Sequence, residues 1–95
     1  MITTTFQIST AHPALPGHFP GQPIVPGVVL LDRLAAEIER SVNARLRKLP
    51  QVKFMRPLKP GEGARLTLDY TAPSGRFVIE CGDDVVAKGT FEVNA

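Results

Sequence analysis

The sequence predicts an α+β fold in which one helix lies across an antiparallel sheet. Only one segment, Val28 to Arg40, carries helical periodicity, with Leu31, Leu34, Ala35, Ile38 and Val42 at three- and four-residue intervals on one face. Period-2 alternation precedes and follows it. The third observation is length: 95 residues suit one domain over residues 1–95 with one core, small enough that pairing with a second copy would add useful burial. One helix against about five strands is then a two-layer sandwich.

In chain order, Ile2, Thr4, Phe6 and Ile8 alternate with Thr3, Thr5, Gln7 and Ser9, which reads as a half-buried strand. From Pro13 to Gly27 lie five of the nine prolines and three of the eight glycines. Each X-Pro step biases the preceding residue away from the helical basin, so this segment is an extended, constrained loop. The helix follows from Val28 to about Val42. Its first turn, Val28-Val29-Leu30-Leu31, is apolar all round and should be buried on every side, while Arg33 and Glu37 form an i,i+4 pair on the wet side. Four strands follow, marked by Val52, Phe54 and Leu58; by Leu66, Leu68 and Tyr70; by Phe77, Ile79 and Cys81; and by Val85, Ala87, Phe91 and Val93 with Gly89 in phase. Lys59-Pro60-Gly61, Pro73-Ser74-Gly75 and Gly82-Asp83-Asp84 supply the turns.

The chain is 43% apolar and 21% charged, which excludes a disordered protein. A single cysteine, Cys81, excludes an internal disulfide framework and a thiolate zinc site, and fits a reducing cytoplasm. The amino terminus lacks a signal-peptide pattern, and the longest apolar run, Ile24 to Leu31, is too short to cross a bilayer, so a soluble protein without a membrane span is expected. The net charge is only +2, yet the stretch from Arg33 to Arg65 holds nine of eleven basic residues against Glu37, Glu39 and Glu62. That asymmetry suits an anionic partner, either a phosphate-bearing cofactor or an acidic protein, although a solvated surface gives the same pattern. Nucleic acid fits worst, because aromatic stacking groups are not interleaved with the basic residues.

The chemistry concentrates at the junction of loop and helix. His18 sits in a segment stiffened by Gly17, Pro20, Gly21, Pro23 and Pro26, which would hold an imidazole in place at little entropic cost. His12 lacks patterned surroundings. Gly27 stands where the free N–H groups of a helix start favour an oxygen acquiring negative charge. Asp32 follows about one turn later among Leu30, Leu31 and Leu34, where desolvation would favour the protonated acid. Each residue alone has a structural reading: a hydrogen-bonding histidine, a turn glycine, a first-turn acid favouring the helix dipole. Together they supply a base, an oxyanion donor and an acid, the set needed for proton abstraction beside a carbonyl.

His18-Phe19-Pro20-Gly21-x-Pro23-Ile24-x-Pro26-Gly27 with Asp32 resembles the active-site segment of the hot-dog-fold 3-hydroxyacyl-acyl carrier protein dehydratases, and Val52 to Glu62 resembles the strand and turn after their central helix. The likeness runs from about Gly17 to Val93. It implies a curved antiparallel sheet wrapped around one long helix, in a dimer whose active sites form between protomers. It further implies a cofactor-free, metal-free hydro-lyase. His18 would remove the α-proton of a 3-hydroxyacyl thioester, Asp32 from the partner would protonate or orient the departing hydroxyl, and the Gly27 N–H would polarise the thioester carbonyl. Phe19, Pro20, Gly21, Pro26 and Val28 would line the substrate site, with a cis peptide between His18 and Phe19. Arg33, Arg56 and Lys59 would meet an acidic acyl carrier protein whose phosphopantetheine arm enters an apolar tunnel. Asp at position 32, where housekeeping members usually have Glu, and the lack of their N-terminal extension favour a specialised polyene, polyketide or lipid pathway, similar to the short aryl polyene dehydratases. Two other readings are a hot-dog thioesterase, which the His-Phe-Pro-Gly segment disfavours, and a non-catalytic carrier-binding subunit of a heteromeric dehydratase, which retention of His18 and Asp32 disfavours.

Overall fold

The computed structural model describes residues 1–9 and 24–94. Strand β1 (Ile2–Phe6) leads through the Pro/Gly-rich segment to helix α1 (Gly27–Val42), followed by strands β2 (Leu46–Phe54), β3 (Ala64–Thr71), β4 (Ser74–Cys81) and β5 (Asp84–Val93). All pairings are antiparallel in the order β1-β3-β4-β5-β2, so α1 carries the chain from one edge of the sheet to the other.

The alternation seen in the sequence sorts the two sheet faces. Leu66, Leu68, Phe77, Ile79 and Phe91 are fully buried, and they meet Leu34 and Ile38 of the helix. The polar residues between them form the opposite face. Burying a side chain such as Leu34 is worth about 1.5–3 kcal/mol, so this inner layer is the main stabilising term.

Four details differ from the expected pattern. First, α1 begins at Gly27, and its opening turn is not buried all round, because Val28 is 66% exposed whereas Val29 and Leu30 are buried. Second, Glu37 is only 6% exposed, not on a wet face, and its carboxylate is held by both Arg33 and Arg40. Third, β2 starts at Leu46, before the alternation noticed in the sequence; it contains Pro50 because its pairing with β5 shifts between Lys48 and Gln51 and because it is an edge strand. Fourth, Val86 rather than Val85 is buried, since β5 carries an extra residue opposite the Ile79–Glu80 step of β4.

That bulge also turns the end of β2. The Val86 carbonyl accepts hydrogen bonds from the Met55 and Arg56 N–H groups, at 2.8 and 3.4 Å. The chain then closes the Lys59–Glu62 turn, in which the Glu62 N–H donates to the Lys59 carbonyl and Gly61 takes φ 84°, a conformation that glycine reaches without strain. At its other end α1 stops at Asn43 in the left-handed region, φ 53° and ψ 47°. No described helix is long and apolar enough to cross a membrane.

Candidate active site

The entry to α1 is fixed by two contacts. The Val25 N–H donates to the Leu58 carbonyl at 2.8 Å, tying the end of the Pro/Gly-rich segment to the chain after β2. The Pro26 carbonyl then accepts from Val29 and Leu30 at 3.0 and 3.1 Å, which starts the helix. Proline suits this position because its fixed φ is compatible with the turn into the helix and it has no N–H to leave unpaired. The N–H groups of Gly27 and Val28 donate to none of the described residues, and no side chain caps this end. They remain available to an oxygen acceptor.

Phe54, at the end of β2, covers Gly27. A Cβ at position 27 would lie 3.4 Å from Phe54 Cζ, so glycine leaves a narrow passage between ring and helix. A cleft of about 430 Å³ opens here, lined by Val25, Gly27, Leu30, Phe54, Arg56 and Leu58 among others. Its walls are mostly apolar, with Arg56 the one cation among those lining residues. An extended acyl chain with one polarisable carbonyl matches such a lining. Phe54 was read in the sequence only as a strand residue; its role beside Gly27 depends on the turn after β2, which no local pattern encodes.

Asp32 is exposed in the protomer, so its own chain does not supply the desolvation expected from Leu30, Leu31 and Leu34. Those leucines point elsewhere because each helical residue turns by roughly 100°, and only one face of α1 meets the sheet. By the same geometry Asp32 and Gly27 lie roughly 140° apart around the helix. Asp32 instead shares its face with Val28, one turn earlier and also exposed. Gly27 and Leu30 thus line the cleft with Val25, whereas Pro26 and Val28 are not among its lining residues and Asp32, on the face of Val28, turns away from it. His12, His18, Phe19, Pro20, Gly21 and the His18–Phe19 peptide lie outside the described residues.

Two of the three cations expected at a carrier surface have internal partners. Arg33 pairs with Glu37 at 3.2 Å, donates to the Gln7 carbonyl at 3.1 Å and stacks over Phe6 at 5.2 Å, which joins α1 to β1. Arg56 lies 3.5 Å from both Glu62 and Asp84. Lys59 is exposed, and its side chain has no ion-pair partner among the described residues. Beside Arg56, Glu62 is held below the usual carboxylate range, first by the Lys59 N–H and then, against some desolvation, by the Cys81 thiol and Arg56.

The profile of the ApeI-like family, described as ApeI dehydratase, matches residues 1–90. The chain belongs to this dehydratase family. The 3-hydroxyacyl-[acyl-carrier-protein] dehydratase FabZ of Syntrophomonas wolfei is 29% identical over 88% of the chain and 68% of its own length. FabZ of Chlamydia trachomatis is 33% identical over 86% of the chain and 64% of its own length. Among solved structures, an uncharacterized protein from Erwinia carotovora superposes with a TM-score of 0.78 at 27% identity, covering 97% of this chain and 81% of that one. The dehydratase heterocomplex ApeI:P from Xenorhabdus doucetiae gives 0.76 at 22% identity, covering 98% and 86%, a likeness of fold. The ApeI-like chain therefore has the hot-dog fold: one helix held by a five-stranded antiparallel sheet.

Proposed function

We propose that this ApeI-like dehydratase removes water from 3-hydroxyacyl thioesters carried on acyl carrier protein, giving trans-2-enoyl thioesters. The observation that carries the reading is the open start of α1 at Gly27, facing an apolar cleft under Phe54, in a chain of a dehydratase family. The thioester carbonyl accepts from the Gly27 N–H, which stabilises the enolate-like charge that develops as the α-proton leaves. His18 takes that proton. The bond from the β-carbon to oxygen then breaks, the electron pair of the α-carbon forms the new double bond, and Asp32 donates the proton with which the hydroxyl departs as water. General acid–base groups of this kind contribute roughly a hundred- to ten-thousand-fold.

The orientation of Asp32 supports a site shared between two protomers. It points away from its own Gly27, beside exposed Val28, and Phe54 and Met55 at the open edge of the sheet are 50% and 48% exposed. A second copy laid along β2 covers these apolar side chains, removes water from Asp32 and brings that carboxyl to the other protomer's cleft. The carrier approaches past Lys59, the cation of the expected trio that has no internal partner among the described residues.

The test incubates the purified protein with a 3-hydroxyacyl-acyl carrier protein and follows the acyl carrier by intact mass. Loss of one water, abolished by His18→Ala and strongly reduced by Asp32→Asn, is the expected result. Release of free acid assigns a thioesterase instead, and loss of water unchanged by either substitution removes these residues from the mechanism.

A further inference from the structure

The face of the sheet turned away from α1 carries a concentration of unpaired positive charge. The register places Arg76, Thr90 and Gln51 in one row across β4, β5 and β2, and Val78, Lys88 and Lys53 in the next. These six surround a shallow depression of about 300 Å³. Arg76, Lys53 and Lys88 are exposed and have no ion pair or hydrogen bond among the described residues. Two other cations of the sheet are neutralised: Lys48 pairs with Glu92 at 3.1 Å, and Arg65 with Glu80 at 3.3 Å. Asp69 stands opposite Arg76 on β3 without forming an ion pair with it.

Lys53 and Lys88 are direct cross-strand partners. Like charges directly opposite destabilise an antiparallel pair, so folding alone gives no reason for this arrangement. Arg76 and Lys53 stand two strands and one row apart, roughly 12 Å, too far for one tetrahedral anion to bridge easily but matched to carboxylates about two turns apart on a helix or about four residues apart on a strand. Thr90 and Gln51 add neutral hydrogen-bond donors between the charges. The depression has no exposed aromatic ring for a base to stack on, and the large exposed apolar side chains among the described residues, Met1, Val28, Phe54 and Met55, are absent from its lining. Nucleic acid and membrane are the poorer fits.

We propose that this outer face, centred on Lys53, Arg76 and Lys88, docks an acidic surface of a partner protein through several carboxylates. It lies across the sheet from the cleft, so the proposal goes beyond the dehydratase reaction and does not depend on it. The dispensable positive pair would then be retained for association at some expense of stability.

The test measures binding of a fluorescent ten-residue Glu/Asp-rich peptide to the full chain by anisotropy at low salt. The double variant Lys53→Glu, Lys88→Glu should weaken binding at least ~10-fold. A charge-matched control, Arg45→Glu with Arg47→Glu, about 20 Å or more along β2, should change it less than ~3-fold. Single Lys53→Glu, which turns the repulsive pair into an attractive one, should raise Tm while lowering affinity. Absence of binding by the wild type, equal losses in both double variants, or a fall in Tm for Lys53→Glu would overturn the proposal. Tighter binding of phosphatidylglycerol vesicles or of inorganic phosphate than of the peptide would overturn it in favour of a lipid or a small oxyanion.

Discussion

Glu37 shows how much one side chain depends on its surroundings. Burial alone would push its carboxyl up, but hydrogen bonds and charge from Arg40 and Arg33 outweigh that and hold it below the usual carboxylate value of 4.5. A group whose folded pKa is depressed gives stability that is present above its unfolded pKa and lost as pH falls through the lower folded value. Glu37→Gln should therefore lower stability at neutral pH by about 1–3 kcal/mol and flatten the acid limb of a Tm–pH profile below about pH 4.5, measurable by circular dichroism. The spacing of Arg33 and Glu37 was plain in the sequence; the burial of Glu37 was not, because it depends on Arg40 closing the other side and on Arg33 reaching Gln7 of the first loop. Gly27 is the complementary case, legible as a helix start but not as the floor beneath Phe54. Gly27→Ala should cut turnover at least ~10-fold with little change in Tm, since the added methyl meets only the edge of the Phe54 ring at 3.4 Å while crowding the carbonyl's approach.

At the scale of elements, alternation identified the inner face of β3, β4 and most of β5, because one buried face imposes a period of two. It misplaced Val85, where the extra residue at Val86 resets the phase, and missed the first half of β2, where irregular pairing around Pro50 removes the alternation. Bulges are set by what two strands do together, so a single strand's sequence does not show them. Gly89 marks the same junction. A Cβ there would fall 1.9 Å from the Gln51 carbonyl oxygen and 2.8 Å from Phe77 Cε2, so β2 and β5 approach as closely as they do only because position 89 is bare. Gly89→Ala should cost about 1–3 kcal/mol or more by overpacking, seen as a lowered urea midpoint, and Gly63→Ala, with open space around it, serves as the tolerated control.

For the whole molecule, a small core and an uncovered set of apolar side chains have one common remedy. Phe54 and Met55 stand exposed at the end of edge strand β2, Val28 stands exposed at the start of α1, and Asp32 turns away from the cleft that needs an acid. A dimer along this edge accounts for both. Met55→Glu should shift the mass in light scattering from two chains toward one, and dehydratase activity should fall with it; activity of the separated monomer equal to wild type would exclude a shared site. The sequence indicated the loop–helix junction as the chemical centre, since His18, Gly27 and Asp32 cluster there. The resemblance already implied that Asp32 acts at the partner's site, and the roughly 140° between Gly27 and Asp32 around α1 supports that proposal.

The most direct measurement of this shared site is complementation. His18→Ala and Asp32→Asn, the first inactive and the second strongly impaired on its own, are purified separately, unfolded together, refolded as a mixture and assayed for water loss from a 3-hydroxyacyl-acyl carrier protein. If His18 and Gly27 of one protomer work with Asp32 of the other, half the dimers are mixed, each has one intact site of two, and about a quarter of wild-type activity returns. A mixture no more active than its separate components, with mixed dimers present by native mass, would contradict the account.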